Sequence, residues 1–128
     1  MDNNCPPYIL EIINRILLLQ RQEFDTDLNG CDRPFLGPTA VNDVYNTRPI
    51  QLYNAYTAEP WSFSTTFNGT VSTSNTFRIE DVEQCNVTVR LLILDEISGL
   101  YMNTNQFVTI DLATVGAIRC LPDTYVSL

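Results

Sequence analysis

The stretch Cys85-Asn86-Val87-Thr88-Val89-Arg90-Leu91-Leu92-Ile93-Leu94 decides the class of fold. Cys85, Val87, Val89, Leu91 and Ile93 alternate with Asn86, Thr88, Arg90, Leu92 and Leu94. A period of two places alternate side chains on opposite faces of a pleated strand, so the first half reads as half-buried. The second half is apolar at both phases and reads as covered on both sides. Working outward, Phe77 and Ile79 begin an earlier strand, and Trp61, Phe63, Thr65 and Phe67 share one face of another. Asn68-Gly69 follows at once, a strong two-residue hairpin signal because both residues tolerate positive φ. Downstream, Val108, Ile110 and Leu112 give a strand and Val115 to Leu121 another. The expected fold is mainly β: an antiparallel β-sandwich or flattened barrel of about six to eight short strands.

One N-terminal α-helix precedes it, expected over residues 7–24, with Pro7 in the first turn where its missing N–H costs nothing. Tyr8, Ile9, Ile12, Ile13, Ile16 and Leu19 fall together at helical spacing, widened by Leu10 and Leu17, with Glu11, Asn14, Arg15, Arg21 and Gln22 opposite. Leu18 sits within that polar arc. An apolar arc this wide exceeds what one sheet surface needs: either the helix is simply well buried, or it also packs against a neighbouring subunit, with Ile9, Ile13, Leu17 and Leu18 as candidate contacts. Between Gly30 and Trp61, the residues Pro34, Gly37, Pro38, Pro49 and Pro60 leave room for loops and short edge strands. The 128 residues form one domain, with the β portion over 31–128.

Composition narrows the chemistry. The chain has no His, its seven basic residues are all Arg, and its formal net charge is −8. This removes the usual general base, the commonest metal ligand and any Schiff-base lysine. Scattered arginines on an acidic chain do not make a phosphate-binding surface, so nucleic acid is not an expected partner. No run approaches the length of a membrane span, and Met1-Asp2-Asn3-Asn4 carries an acid where a secretory signal carries a base. A soluble protein that needs no cofactor and is not an enzyme is the expectation.

Four ordered segments carry a resemblance. They are Cys31-Asp32-Arg33-Pro34-Phe35-Leu36-Gly37, then Asn46-Thr47-Arg48-Pro49-Ile50-Gln51-Leu52-Tyr53, then Phe77-Arg78-Ile79-Glu80 with Cys85 and Val89-Arg90-Leu91-Leu92, and last Val108-Thr109-Ile110-Asp111-Leu112 with Ala117-Ile118-Arg119-Cys120-Leu121. In order and spacing they resemble the CotY/CotZ family of spore coat and exosporium proteins over residues 31–121. The resemblance implies a structural protein of the spore surface, in the exosporium or outer coat, synthesised in the mother cell cytoplasm. It implies self-assembly into rings or two-dimensional lattices, other coat or exosporium proteins as partners, and disulfides between subunits. Cys31, Cys85 and Cys120 fall where that family also carries cysteine. The family is richer in Cys than this chain, which leaves room for an anchoring role beside a lattice-forming one.

Read without the family, Cys5, Cys31, Cys85 and Cys120 allow three intramolecular pairings, and buried free thiols are the plainer alternative. Cys85 and Cys120 lie in strand patterns and suit the core, whereas Cys5 and Cys31 lie where they could bond to neighbours. With no C-x-x-C spacing and no His, zinc is not expected. Asp25, Asp27 and Asn29, followed by Gly30, match the first half of a calcium loop, but Leu36 replaces the closing Glu and Pro34 blocks an exiting helix. Carboxylate pairs are the remaining enzymatic chemistry, and nothing selects two of the acids. Asp111, inside an apolar strand, reads as a hydrogen-bonded structural residue. The alternative function is a ligand- or glycan-binding β-sandwich, with Trp61, Phe63, Phe67, Tyr53 and Tyr56 as stacking surfaces.

Overall fold

A computed structural model describes residues 5–21 and 45–128. Its element order is α1 (Pro7–Arg21), β1 (Ile50–Asn54), β2 (Phe63–Phe67), β3 (Thr70–Ser74), β4 (Thr76–Glu83), β5 (Asn86–Asp95), β6 (Leu100–Asp111), a 3-10 turn (Leu112–Thr114) and β7 (Val115–Cys120). The fold is mainly β, sandwich-like, with two antiparallel sheets and one N-terminal helix. The larger sheet has the order β6-β5-β4-β1-β7, and β2 and β3 form a separate hairpin.

The β4–β5 pair is the centre, as the alternation implies. Val87, Val89 and Leu91 bury against Phe77 and Ile79, while Leu92 is buried on the other face. Coverage on both sides stops there, because Leu94 is exposed. Cys85 lies outside the strand: Glu83 pairs with Asn86, so Gln84 and Cys85 form a tight turn, with Gln84 at φ 56°. The Asn68-Gly69 turn forms as read, with φ 54° and 77°. β6 is longer than its apolar end predicts. Its first half pairs with the outer part of β5 and is interrupted by a bulge at Asn105, whose φ is 59°. Leu112, expected in the strand, instead opens the 3-10 turn, which the Asp111 side chain caps by accepting from the Ala113 N–H.

β1 corrects the expectation that residues before Trp61 supply only edges. It lies between β4 and β7, with Ile50 and Leu52 fully buried. Pro49 sits just outside the ladder, where its missing N–H disturbs nothing. β1 meets β4 only at Ile50–Phe77, then diverges while pairing with β7 along its length. The sheet is strongly curled. β6 and β7 are opposite edges, yet only Leu112–Thr114 separates them. The steps from Asp111 to Val115 reach about 14 Å at most, whereas the edges of a flat sheet this wide lie about 19 Å apart. The Leu112 N–H donates to Cys85 O and the Ala55 N–H to Thr114 O, each at 2.8 Å, which holds the 3-10 turn to the β4–β5 turn at one end and to the end of β1 at the other. Gly116 permits the close approach of β7 to the end of β1, since a Cβ there would lie 3.0 Å from Ala55 Cα.

Helix α1 covers the inner face and packs chiefly on β4. Ile9, Ile13, Ile16 and Leu17 are its buried residues. Gln20 lies on that side as well: its Nε2 donates to Ile79 O and its Oε1 accepts from the Arg48 N–H. Tyr8, Ile12 and Leu19, which the sequence groups with the buried face, are instead exposed. Among the described residues, no helix is long and apolar enough to cross a membrane.

Candidate functional site

The best-organised polar site lies on the outer face of β4 and β5. Arg78 and Arg90 stand directly opposite each other in the ladder, a pairing of like charges that destabilises a sheet unless an anion intervenes. Glu80 supplies it. A register shift between Ile79 and Asp81 marks a bulge at this residue. Its Oε2 accepts from Arg78 Nη1 at 2.7 Å and from Arg90 Nε at 2.8 Å. Each guanidinium is also held from other sides. Arg78 Nε donates to Thr47 Oγ1 and its Nη2 to Asn46 O. Arg90 Nη1 donates to Asn103 Oδ1 and more weakly to Asn105 Oδ1, and the guanidinium lies 4.5 Å from the centre of the Phe107 ring.

This cluster brings together two of the four segments singled out in the sequence. Asn46 and Thr47 come from one, Arg78, Glu80 and Arg90 from the next, and all meet within hydrogen-bonding distance. Asn46 extends the network to the C-terminal segment, donating from Nδ2 to Val126 O and accepting at Oδ1 from the Val126 N–H. Thr47 and Thr124 form an isolated bridge, and Arg48 makes a bidentate pair with Asp123 at 2.7 and 3.1 Å. The hydrogen bond to Asp123 holds the Arg48 guanidinium above its ordinary range, against partial desolvation. Chemically the site is a clamp. A carboxylate committed to two arginines, themselves held by carbonyls and amides, leaves little capacity for a reactant.

The four cysteines are arranged differently from the sequence expectation. Cys5 and Cys85 form an intrachain disulfide with a Cα–Cα distance of 5.7 Å, spanning a sequence separation of 80. The sequence points Cys5 at neighbours and seats Cys85 as a thiol in a strand. Instead the tight turn presents Cys85 to Cys5, two residues ahead of α1, pinning the helix start to the β4–β5 hairpin. Cys120, expected in the core, is exposed and unpaired among the described residues, at the end of the edge strand β7. Cys31 lies outside the described residues, as do Asp25, Asp27 and Asn29 of the calcium-like loop.

Of the candidate oligomer contacts, Ile9, Ile13 and Leu17 belong to this chain's own core, because the helix needs that arc to cover β4. Leu18 remains exposed at 61%. The aromatic surface is also partly committed. Trp61 and Phe63 stack in parallel with centroids 6.0 Å apart, Phe63 tilts against Phe77, and both pack on the core. Tyr56 stands exposed in a turn. The indole Nε1 of Trp61 is enclosed without a hydrogen-bond partner among the described residues. No group of three or more His, Cys, Asp or Glu could hold a metal ion among the described residues. Sequence reasoning misses the clamp because it treats arginines as scattered. Arg78, Glu80 and Arg90 share the outward phase of two apolar strands, and that phase is the available signal.

No protein-family model, curated protein or solved structure matches this chain.

Proposed function

We propose that this chain is a structural, self-associating subunit of the bacterial endospore surface, in the exosporium or outer coat. It either builds an oligomeric layer or anchors other components to one. The spore-surface part rests on the resemblance of the ordered motif strings. The convergence of Asn46, Thr47, Arg78, Glu80 and Arg90 on one clamp supports reading those strings as determinants of architecture.

The observation that carries self-association is the second apolar surface of α1. After Ile9, Ile13, Ile16 and Leu17 are spent on the core, Tyr8 is still 80% exposed, Leu18 61% and Leu19 50%. Tyr8, Ile12 and Leu19 fall on one flank of the helix at helical spacing. Burying side chains of this size on a neighbour contributes about 1–2 kcal/mol each. The exposed Cys120 on an edge strand supplies a thiol that a neighbouring copy could reach.

The test is sedimentation velocity and negative-stain electron microscopy of the full chain, with and without reductant. Concentration-dependent assemblies that are weakened by Leu18→Glu with Leu19→Glu support the reading. Assemblies that loosen with reductant in wild type but not in Cys120→Ser assign Cys120 as the covalent link. A strict monomer at high concentration under oxidising conditions overturns it.

A further inference from the structure

We propose that the outer face of the sheet carries a binding site for a neutral sugar, in a cleft walled by Gln51, Asn75, Thr76 and Tyr101. The cleft encloses about 430 Å³ between β1, the β3–β4 corner, β5 and β6. That volume suits a ligand of roughly disaccharide size. Strand register builds it. Leu91 belongs to the inner core, so Leu92 and Leu94 project to the outer face. Thr76 pairs with Leu92 and Tyr101 with Leu94, which places all four side chains on that face.

The lining selects the ligand by elimination. None of the side chains lining the cleft is charged, and they include Gln51, Ser72, Thr73, Asn75 and Thr76. An anion or cation would find no counter-charge. A purely apolar ligand would bury the remaining polar atoms of those side chains, the Gln51 carbonyl and the Asn75 amide N–H among them, without partners, at about 1–3 kcal/mol for each one. A sugar ring offers what the cleft lacks: vicinal hydroxyls that both donate and accept, and an apolar C–H face.

Gln51 Nε2 donates to Thr76 Oγ1 at 3.5 Å, and Thr76 Oγ1 donates to Asn75 Oδ1 at 3.1 Å. This chain of contacts leaves the Gln51 carbonyl oxygen as an acceptor and the Asn75 amide as a donor. The half-buried Tyr101 ring and the exposed side of Leu94 give the C–H face a surface to pack on. This pairing of one aromatic with amide side chains is separate from the Trp61–Phe63 stack, whose rings pack on the core.

The experiment is a two-dimensional amide NMR titration of the ¹⁵N-labelled full chain. The probes are maltose, cellobiose and N,N′-diacetylchitobiose, with glucose as the free-monosaccharide arm and glycerol and glucuronate as controls. At least one neutral sugar should shift the amides of Gln51, Thr73, Asn75 and Tyr101 saturably, with a Kd near or below about 10 mM. Asn75→Ala and Tyr101→Ala should each weaken that binding about five- to tenfold. Thr73→Ala, at an exposed residue that the fold tolerates, provides a second variant should either of those fail to fold. Stronger binding by the disaccharides than by glucose assigns a glycan chain, and equal binding a single ring. No localised shifts at about 20 mM, shifts matched by glycerol, or binding unchanged in the variants would overturn the proposal.

Discussion

Replacing Glu80 with Ala should destabilise the protein severely, and the geometry sets the size. Glu80 is 20% exposed at its side chain, and Arg78 and Arg90 are 10% and 13% exposed. Removing the carboxylate deletes two short charge-assisted hydrogen bonds, each contributing about 1.5–3 kcal/mol. It also leaves two guanidinium groups facing each other across one ladder position. Neither swings freely into water, because Thr47 and Asn46 hold Arg78 while Asn103 and Asn105 hold Arg90. Partial exposure of Glu80 lets solvent recover part of the loss, so the expected cost is about 3 kcal/mol, at the lower end for a broken buried ion pair. For a chain of this size that lowers Tm by about 10 °C. Urea denaturation of wild type, Glu80→Ala, Glu80→Gln and the triple replacement Arg78→Met, Glu80→Leu, Arg90→Met measures it. Glu80→Gln keeps an acceptor and should lose about half as much. The triple variant removes every charge and should recover most of the loss, since apolar isosteres of buried ion clusters are often neutral. A loss below about 1 kcal/mol for Glu80→Ala, of the size expected for an exposed ion pair, refutes the view that the clamp holds the sheet face.

Two further outcomes follow from the edges and the staple. The Cys5–Cys85 bond closes a loop of about 80 residues, so the chain-entropy relation gives up to about 4.5 kcal/mol, and about 3 kcal/mol is expected in practice. Cys5→Ser with Cys85→Ser should therefore lower the urea midpoint, and hydrogen exchange should quicken first in α1; unchanged exchange there would count against the staple. Gly116→Val would drive a branched side chain into Ala55, whose Cα lies only 3.0 Å from where the new Cβ would stand, and should cost about 2 kcal/mol by denaturation. A neutral result would mean that β1 and β7 separate easily at the curl.

The fold is legible where one periodicity is uncontested. Val87, Val89 and Leu91 alternate over enough residues to fix β5, and Asn68-Gly69 names its own turn. β1 is hidden because Ile50 and Leu52 are too short a pattern to outweigh the surrounding prolines, and its interior position comes from partners far along the chain. The helix is plain in the sequence, but its orientation is not. Hydrophobicity alone favours Leu19 over Gln20 for the inner face, whereas the structure turns the half-buried Gln20 inward, where it satisfies Ile79 O and the Arg48 N–H. The disulfide could not be read, since a pairing across a separation of 80 depends on where the β4–β5 turn lands relative to α1. The clamp is invisible for a related reason: opposite positions in a ladder are set by register, and one bulge changes which side chains meet.

The bond between Cys5 and Cys85 also decides what damage the molecule survives. A single backbone cut at any point between those two residues leaves both pieces covalently joined, including every cut within the 22–44 segment and the β2–β3 hairpin. Such a nicked chain would run as one band on a non-reducing gel and as two on a reducing gel. Cuts after Cys85 have no such protection, so β5, β6 and β7 depend on their ladder alone to stay attached. Tolerance of a single cut is thus built into the first two thirds of the sequence and absent from the last.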